Sequence, residues 1–360
     1  MFFNSPEINL HEEVLRQTAE DGLLKFGINY LDDATEGILK SDIILLGARS
    51  GAGKTQLCTN IAWSNVLKGK RVHYIALEAE KYEIERRIKY RIFCEYFLKI
   101  KPKTKHRLSY KNWALGRFLK DCEEIEKLAS SEFEFKAQSL FTYYKEEAFD
   151  LSKFIDTVLY CADSTDLIIV DHVHYFDFDD GKNENSSIKE IVTVARDLAL
   201  RNNIPIILVA HIRKADRFSS SPVPELEDFH GSSDLYKVAT KAITLAAGIK
   251  YTPDGVAETL MKVVKDRFDS SLTRHLGLLH FDVKRGSYAE KYQVGPEAQK
   301  RGEEFNEYVL ADYPAWARPQ TRAGGETPNV LRNHATEAIL RRAKEAPADS
   351  INNKRPYKDD

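Results

Sequence analysis

The apolar run Ile43-Ile44-Leu45-Leu46 ends at Gly47 and is followed at once by Ala48-Arg49-Ser50-Gly51-Ala52-Gly53-Lys54-Thr55. A helical pattern then runs over 54–67. A buried strand handed to a helix through a loop of small residues constrains the fold more than any other feature of the chain. The segment fits the P-loop pattern, with Ala48 at its first position. Small residues let successive backbone N–H groups turn inward around a phosphate chain, and the helix that starts there adds the partial positive charge of its N-terminus. Ala48, Arg49, Ser50, Gly51, Ala52, Gly53, Lys54, Thr55 and Gln56 are therefore the candidate nucleotide-binding residues. Lys54 supplies a mobile charge to the β- and γ-phosphates, and the Thr55 hydroxyl is placed to hold Mg2+. The cofactors expected are ATP and Mg2+.

Short apolar runs alternate with longer helical patterns along the rest of the chain, which predicts an α/β fold with a mostly parallel central sheet flanked by helices. Strands are expected at 72–77, 139–144, 167–170, 205–210, 242–247 and 258–265, with a turn at Asp254-Gly255. The strand at 276–282 is expected to close the sheet. Helices are expected at 81–100, 151–161 and 188–201. Residues 101–135 read as a polar, partly helical outer layer with a basic turn at 101–107. Residues 213–234 carry the run Ser219-Ser220-Ser221, two prolines and mixed charge, and read as a loop. After Tyr292 the pattern changes. Helices are expected at 296–308 and 329–344 around a Pro/Gly/Arg linker at 314–328, followed by a disordered polar end. The expected organisation is an N-terminal extension over 1–25, one domain over 26–292, and a helical or disordered tail over 293–360.

Asp171 ends the run Leu167-Ile168-Ile169-Val170, at the sheet edge where open α/β folds bind ligands. A carboxylate there pairs with Thr55 as the second Mg2+ anchor. Glu78, after the strand at 72–77, is the candidate base that orients the attacking water, with Glu80 as its competitor. His211 ends the strand at 205–210 and is the candidate sensor of the γ-phosphate. His172 and His174 alternate after Asp171. They suggest a metal pair, but no carboxylate or cysteine is expected to complete a site, so they read as loop residues.

These residues resemble the RecA-like ATPases, and most closely the DnaB-type hexameric helicase domain, from about Phe26 to Asp282. The resemblance is carried by Gly27-Ile28-Asn29-Tyr30-Leu31-Asp32-Asp33, Ala76-Leu77-Glu78, 185–205, Ala210-His211-Ile212-Arg213-Lys214, His230-Gly231-Ser232 and Lys265-Asp266-Arg267-Phe268. It implies a RecA-like P-loop core, ATP hydrolysis at subunit interfaces, a homo-oligomeric ring taken as a hexamer, action as a helicase on single-stranded DNA, and replication partners. It also implies that Lys265 and Arg267 reach the ATP of a neighbouring subunit. About 25 residues precede the resemblance, so the N-terminal domain of bacterial relatives is expected to be absent.

The chain has 360 residues with 53 basic and 55 acidic side chains. A near-neutral total puts any nucleic-acid contact in a local patch. Arg213, Lys214 and Arg217, with the backbone N–H groups of Gly231 and Ser232, are the candidate DNA contacts. The acidic run at 225–228 lies where the family often has a basic residue. It keeps open a non-unwinding recombinase-like filament or a regulatory ATPase of the clock-protein type. Four cysteines without metal or redox spacing suit a reducing compartment. With no apolar run of membrane-spanning length and no secretory leader, the expected location is cytoplasmic.

Overall fold

The computed structural model describes residues 23–101, 108–117, 119–178, 183–212, 223–229, 237–251, 256–268 and 275–296. Nine strands form a single sheet in the order β3-β2-β4-β5-β1-β6-β7-β8-β9. They are β1 (Ile43–Ala48), β2 (Val72–Ala76), β3 (Leu140–Tyr144), β4 (Leu167–Asp171), β5 (Ile206–His211), β6 (Lys241–Tyr251), β7 (Val256–Asp266), β8 (His275–Asp282) and β9 (Ser287–Pro296). The first six strands pair in parallel, and the last three add antiparallel strands at one side.

The unbroken apolar runs follow from helices covering both faces of the parallel part. Along β1, Ile44 and Leu46 enter one core while Ile43 and Leu45 enter the other. The same alternation divides Leu167 and Ile169 from Ile168 and Val170 in β4. The first face carries α1 (Asn29–Thr35), α2 (Lys54–Val66), α3 (Glu83–Ile100), a short α4 (Tyr110–Ala114) and α5 (Leu119–Lys136). The second carries α6 (Leu151–Cys161) and α7 (Glu184–Asn202). Helix α2 is buried nearly all round, between sheet and outer helices. Helix α5 belongs to the outer layer, with Ile125 and Ala129 buried and Phe133 stacked on Trp63 of α2.

Local chemistry sets the helix ends. Asp150 accepts from the Lys153 N–H at 2.8 Å to cap α6, and Asn183 accepts from the Asn185 N–H at 3.0 Å to cap α7. Helix α7 stops at Asn203, whose φ of 56° is left-handed.

The sheet does not close at 276–282, as the sequence suggests. A turn at 283–286 returns the chain as β9, paired antiparallel with β8. Polar residues dominate β9, which hides it, but Tyr288 and Tyr292 lie four residues apart on one strand face. Tyr292 packs edge-on against Tyr30 with centroids 5.5 Å apart, and its hydroxyl donates to Asp33 at 2.8 Å. The turn itself is held over the other helices. Lys284 O accepts from the Tyr90 hydroxyl and from Cys94 Sγ, and Gly286 O accepts from Gln56 Nε2 at 2.9 Å.

A buried ionic cluster ties β6 and β7 to the start of β1. Lys241 Nζ lies 2.9 Å from Asp42 and 3.8 Å from Asp266, while the Thr240 hydroxyl donates to Asp42 at 2.6 Å. Charges this deep are tolerated because each has a partner. Of the helix expected at 296–308 only Pro296 is described, as the last residue of β9; the remaining tail and the turn at 254–255 lie outside the described residues, as do residues 102–107 of the basic turn.

Candidate active site

The loop between β1 and α2 has the backbone that phosphate wrapping requires. Gly51 and Gly53 have φ of 77° and 97°, a region that disfavours side chains. A Cβ on Gly51 would meet no atom within 4 Å, so the loop is open beside it. Lys54 begins α2 and is only 7 % exposed. Its ammonium donates to the carbonyls of Ala48 and Arg49 at 3.1 and 3.3 Å, and sits 3.3 Å from His211 Nδ1. Burial lowers the Lys54 pKa, and the nearby negative charges of Asp171 and Glu78 oppose that shift.

Asp171 is the last residue of β4 and is buried. Its Oδ2 accepts from the Tyr74 hydroxyl at 2.8 Å, whereas its Oδ1 is buried without a hydrogen-bond partner. Burial raises its pKa. The Tyr74 and Thr55 hydroxyls and the Lys54 charge pull the other way, and Glu78 adds to the rise. A buried, half-satisfied carboxylate oxygen beside the Thr55 hydroxyl and the Lys54 ammonium fits Mg2+ and a triphosphate. Tyr74 was not singled out by sequence reasoning. A hydroxyl-bearing ring at an inward-facing position of a short inner strand is the signal that could have found it.

Three neighbouring strands deliver the remaining groups. Glu78 follows β2, whose Ala76 pairs with Asp171 in the register of β2 and β4. His172 follows Asp171, and His211 ends β5 beside β4 and β1. Glu78 is 44 % exposed, and its Oε2 lies 3.0 Å from Nε2 of His172. Glu80 instead pairs with Arg86 at 3.2 Å on the surface. The His211 N–H donates to His174 Nδ1 at 3.3 Å, and the His211 ring meets that of His172 with centroids 4.1 Å apart. His172 is fully buried. Burial, reinforced by the positive charge His211, His174 and Lys54 can carry, pushes its pKa down to about 2. The expectation that no carboxylate accompanies the histidines is overturned. Glu78 approaches His172 from the adjacent strand, a juxtaposition set by sheet order and invisible in the local sequence.

Gln56 faces sideways. It donates to Gly286 O and accepts from Arg87 Nη1 at 3.3 Å, so it braces α2 against α3 and the turn before β9.

Lys265 and Arg267 occupy the opposite edge of the sheet. The Arg267 N–H donates to Thr240 O at 2.8 Å, and the Thr240 N–H donates to Ile43 O at 2.8 Å. Arg267 is thus level with the start of β1, whereas the phosphate loop follows the end of that strand. At about 3.3 Å per residue the separation is roughly 16 Å, farther than an arginine side chain extends. Lys265 is half-buried, and burial and then the neighbouring Arg267 charge lower its pKa.

Arg213, Lys214, Arg217, Gly231 and Ser232 lie outside the described residues. Ile212 and Phe229, on either side of the stretch that carries Arg213, Lys214 and Arg217, meet in one contact. Ile212 forms an antiparallel bridge with the fully buried Phe229. A Cβ on Gly47 would lie 2.4 Å from the Phe229 ring and 2.6 Å from Ile212, so only glycine lets this bridge pack behind the phosphate loop. The acidic run at 225–228 has intramolecular roles. Glu225 and Asp228 form a reciprocal capping box, and Glu225 also pairs with the buried Lys262 at 2.8 Å.

The family described as DnaB-like helicase C terminal domain matches residues 23–270. A probable replicative DNA helicase of Trieres chinensis is 22 % identical over 226 residues, covering 62 % of this chain and 47 % of that protein. The chain therefore spans about half the length of that curated relative. A solved structure of an isolated ATPase domain superposes with a TM-score of 0.61 at 17 % identity, covering 79 % of this chain and 96 % of that one. A DnaB-like replicative helicase, solved in a study of its interactions with primase, also superposes at 0.61, with 15 % identity over 80 % of this chain and 67 % of the other. Among the described residues no helix is long and apolar enough to cross a membrane.

Proposed function

The chain belongs to the DnaB-like helicase C-terminal domain family, and from that premise we propose that it is a cytoplasmic, Mg-ATP-hydrolysing motor acting as a hexameric ring on single-stranded DNA in replication. The observation that carries this reading is the meeting of Lys54, Asp171, Glu78 and His211 at the ends of four adjacent strands. The loop amides of 48–55 and Lys54 hold the triphosphate. Thr55 and Asp171 would hold Mg2+, which would supply charge to offset that of the phosphates. Glu78 orients the attacking water. His211, in contact with Lys54 and two residues from the start of the 213–234 segment, relays the state of the γ-phosphate into the proposed DNA contacts Arg213, Lys214, Arg217, Gly231 and Ser232. Arg267 lies too far from its own phosphate loop to act there, which supports a role for it, with the neighbouring Lys265, at the nucleotide of a neighbouring subunit.

Glu78→Gln is expected to bind ATP with affinity close to that of the unaltered protein while turnover and strand separation on a forked duplex fall about 10²- to 10⁴-fold. Nucleotide-binding titration and a steady-state phosphate-release assay read the two effects apart. Loss of ATP binding would assign Glu78 a structural role and remove it from the proposed chemistry.

A further inference from the structure

Glu78, His172 and His211 each offer a ligand atom, and these three atoms lie within 4.8 Å of one another. We propose that the three side chains form a binding site for a borderline-soft transition dication, for which Zn2+ is the probe, inside the nucleotide site and separate from the Thr55–Asp171 pair.

The donor set selects the ion. Two imidazoles and one carboxylate suit Zn2+ and its transition-metal neighbours, whereas Mg2+ prefers oxygen ligands. Ligands about 2.0–2.1 Å from a tetrahedral zinc stand about 3.3 Å apart. The Glu78–His172 pair is already at 3.0 Å, and the His211 ligand atom lies within 4.8 Å of both. His172 supplies the strongest argument. It is fully buried, and neither ring nitrogen makes a hydrogen bond, the Glu78 oxygen lying close to Nε2 but out of line for one. Leaving polar atoms unsatisfied at that depth is costly, and coordination satisfies one of them. Each ligand comes from the end of a different strand, β2, β4 or β5, so the sheet presets their spacing. Lys54 contacts His211 through Nδ1 and opposes the metal by its charge, while Glu78 favours it. Three protein ligands leave a fourth position for water.

Coordination occupies the carboxylate assigned to the attacking water, so Zn2+ inhibits ATP turnover. That consequence rests on the proposed function, whereas the binding itself does not.

The test is a titration of the full chain, first stripped by chelator, with Zn2+ alone against a competing chromophoric chelator and without nucleotide. Co2+ absorption serves as a second readout of nitrogen and oxygen ligation. One equivalent is expected to bind, with affinity reduced tenfold or more in Glu78→Gln and in His211→Gln and unchanged in His280→Asn, on the distant β8. His172→Asn alters a buried ring, so the two more exposed ligands carry the test. Absence of a one-equivalent site, or affinity unchanged in both ligand variants, overturns the proposal. Zinc binding without ATP hydrolysis would leave this site standing and refute the motor; hydrolysis without zinc binding would do the reverse.

Discussion

Lys54→Ala is expected to lower ATP turnover by about 10³-fold or more, equivalent to about 4 kcal/mol of transition-state stabilisation. Lys54 is placed by the helix that grows out of the loop, and its ammonium reaches only the carbonyls of Ala48 and Arg49 and the ring of His211 among the hydrogen-bond partners described. These are contacts of a charge held for a ligand. Burial lowers its pKa, so the folded chain without nucleotide holds this cation at a disadvantage. A triphosphate reverses that by offering several negative oxygens to the same ammonium. Removing the side chain leaves the β1–α2 packing intact, because Leu57, Cys58 and Ile61 carry it. Turnover should therefore collapse while the thermal unfolding midpoint hardly moves, checked by phosphate release and by a melt on the same sample. Turnover near the unaltered rate would refute the assignment of the loop.

Arg267→Ala is expected to lower turnover by about 10³- to 10⁵-fold, the range for an arginine that stabilises phosphoryl-transfer charge across an interface. The reasoning is geometric. The backbone of Arg267 is tied to Thr240, and Thr240 to Ile43, which fixes the residue at the sheet edge away from its own loop. Its side chain is exposed there, beside the half-buried Lys265. Mixing Arg267→Ala subunits with Lys54→Ala subunits provides the decisive readout. Each variant is inactive alone, but a mixed assembly contains interfaces at which an intact loop faces an intact arginine. Activity should return in the mixture. Two inactive variants that stay inactive together, while still co-assembling by size-exclusion chromatography, would show that Arg267 acts otherwise.

How much could be read from sequence depended on whether the information was local. The strand–loop–helix unit from Ile43 to Val66 was legible because every constraint on it is contiguous: an apolar run, small residues and a lysine at fixed spacing. Asp171 and His211 were legible for a related reason, since each terminates a run of buried aliphatics in a parallel strand. The adjacency of β2, β4 and β5 then places Glu78 against the two histidines, and no local pattern encodes that order. Tyr74 was hidden in the same way, as its role exists only once β2 lies beside Asp171. Strand β9 escaped because its polar residues outnumber the two tyrosines that anchor it, and its partners, Tyr30 and Asp33, come from the other end of the described chain. The acidic run at 225–228 was read by its charge alone. Its charge kept a filament or regulatory reading open, and in the fold Glu225 is engaged by Lys262 and by its own helical turn, contacts no local pattern shows.

The measurement that bears most directly on the motor is steady-state ATP turnover by the full chain, with and without single-stranded DNA, across a series of salt concentrations. Turnover should require Mg2+, rise when the DNA is added at low salt, and lose that stimulation steeply as salt increases, because contacts to backbone phosphates release counterions. Turnover that single-stranded DNA leaves unchanged at the lowest salt would contradict the account and point to an ATPase that answers to something other than a nucleic-acid strand.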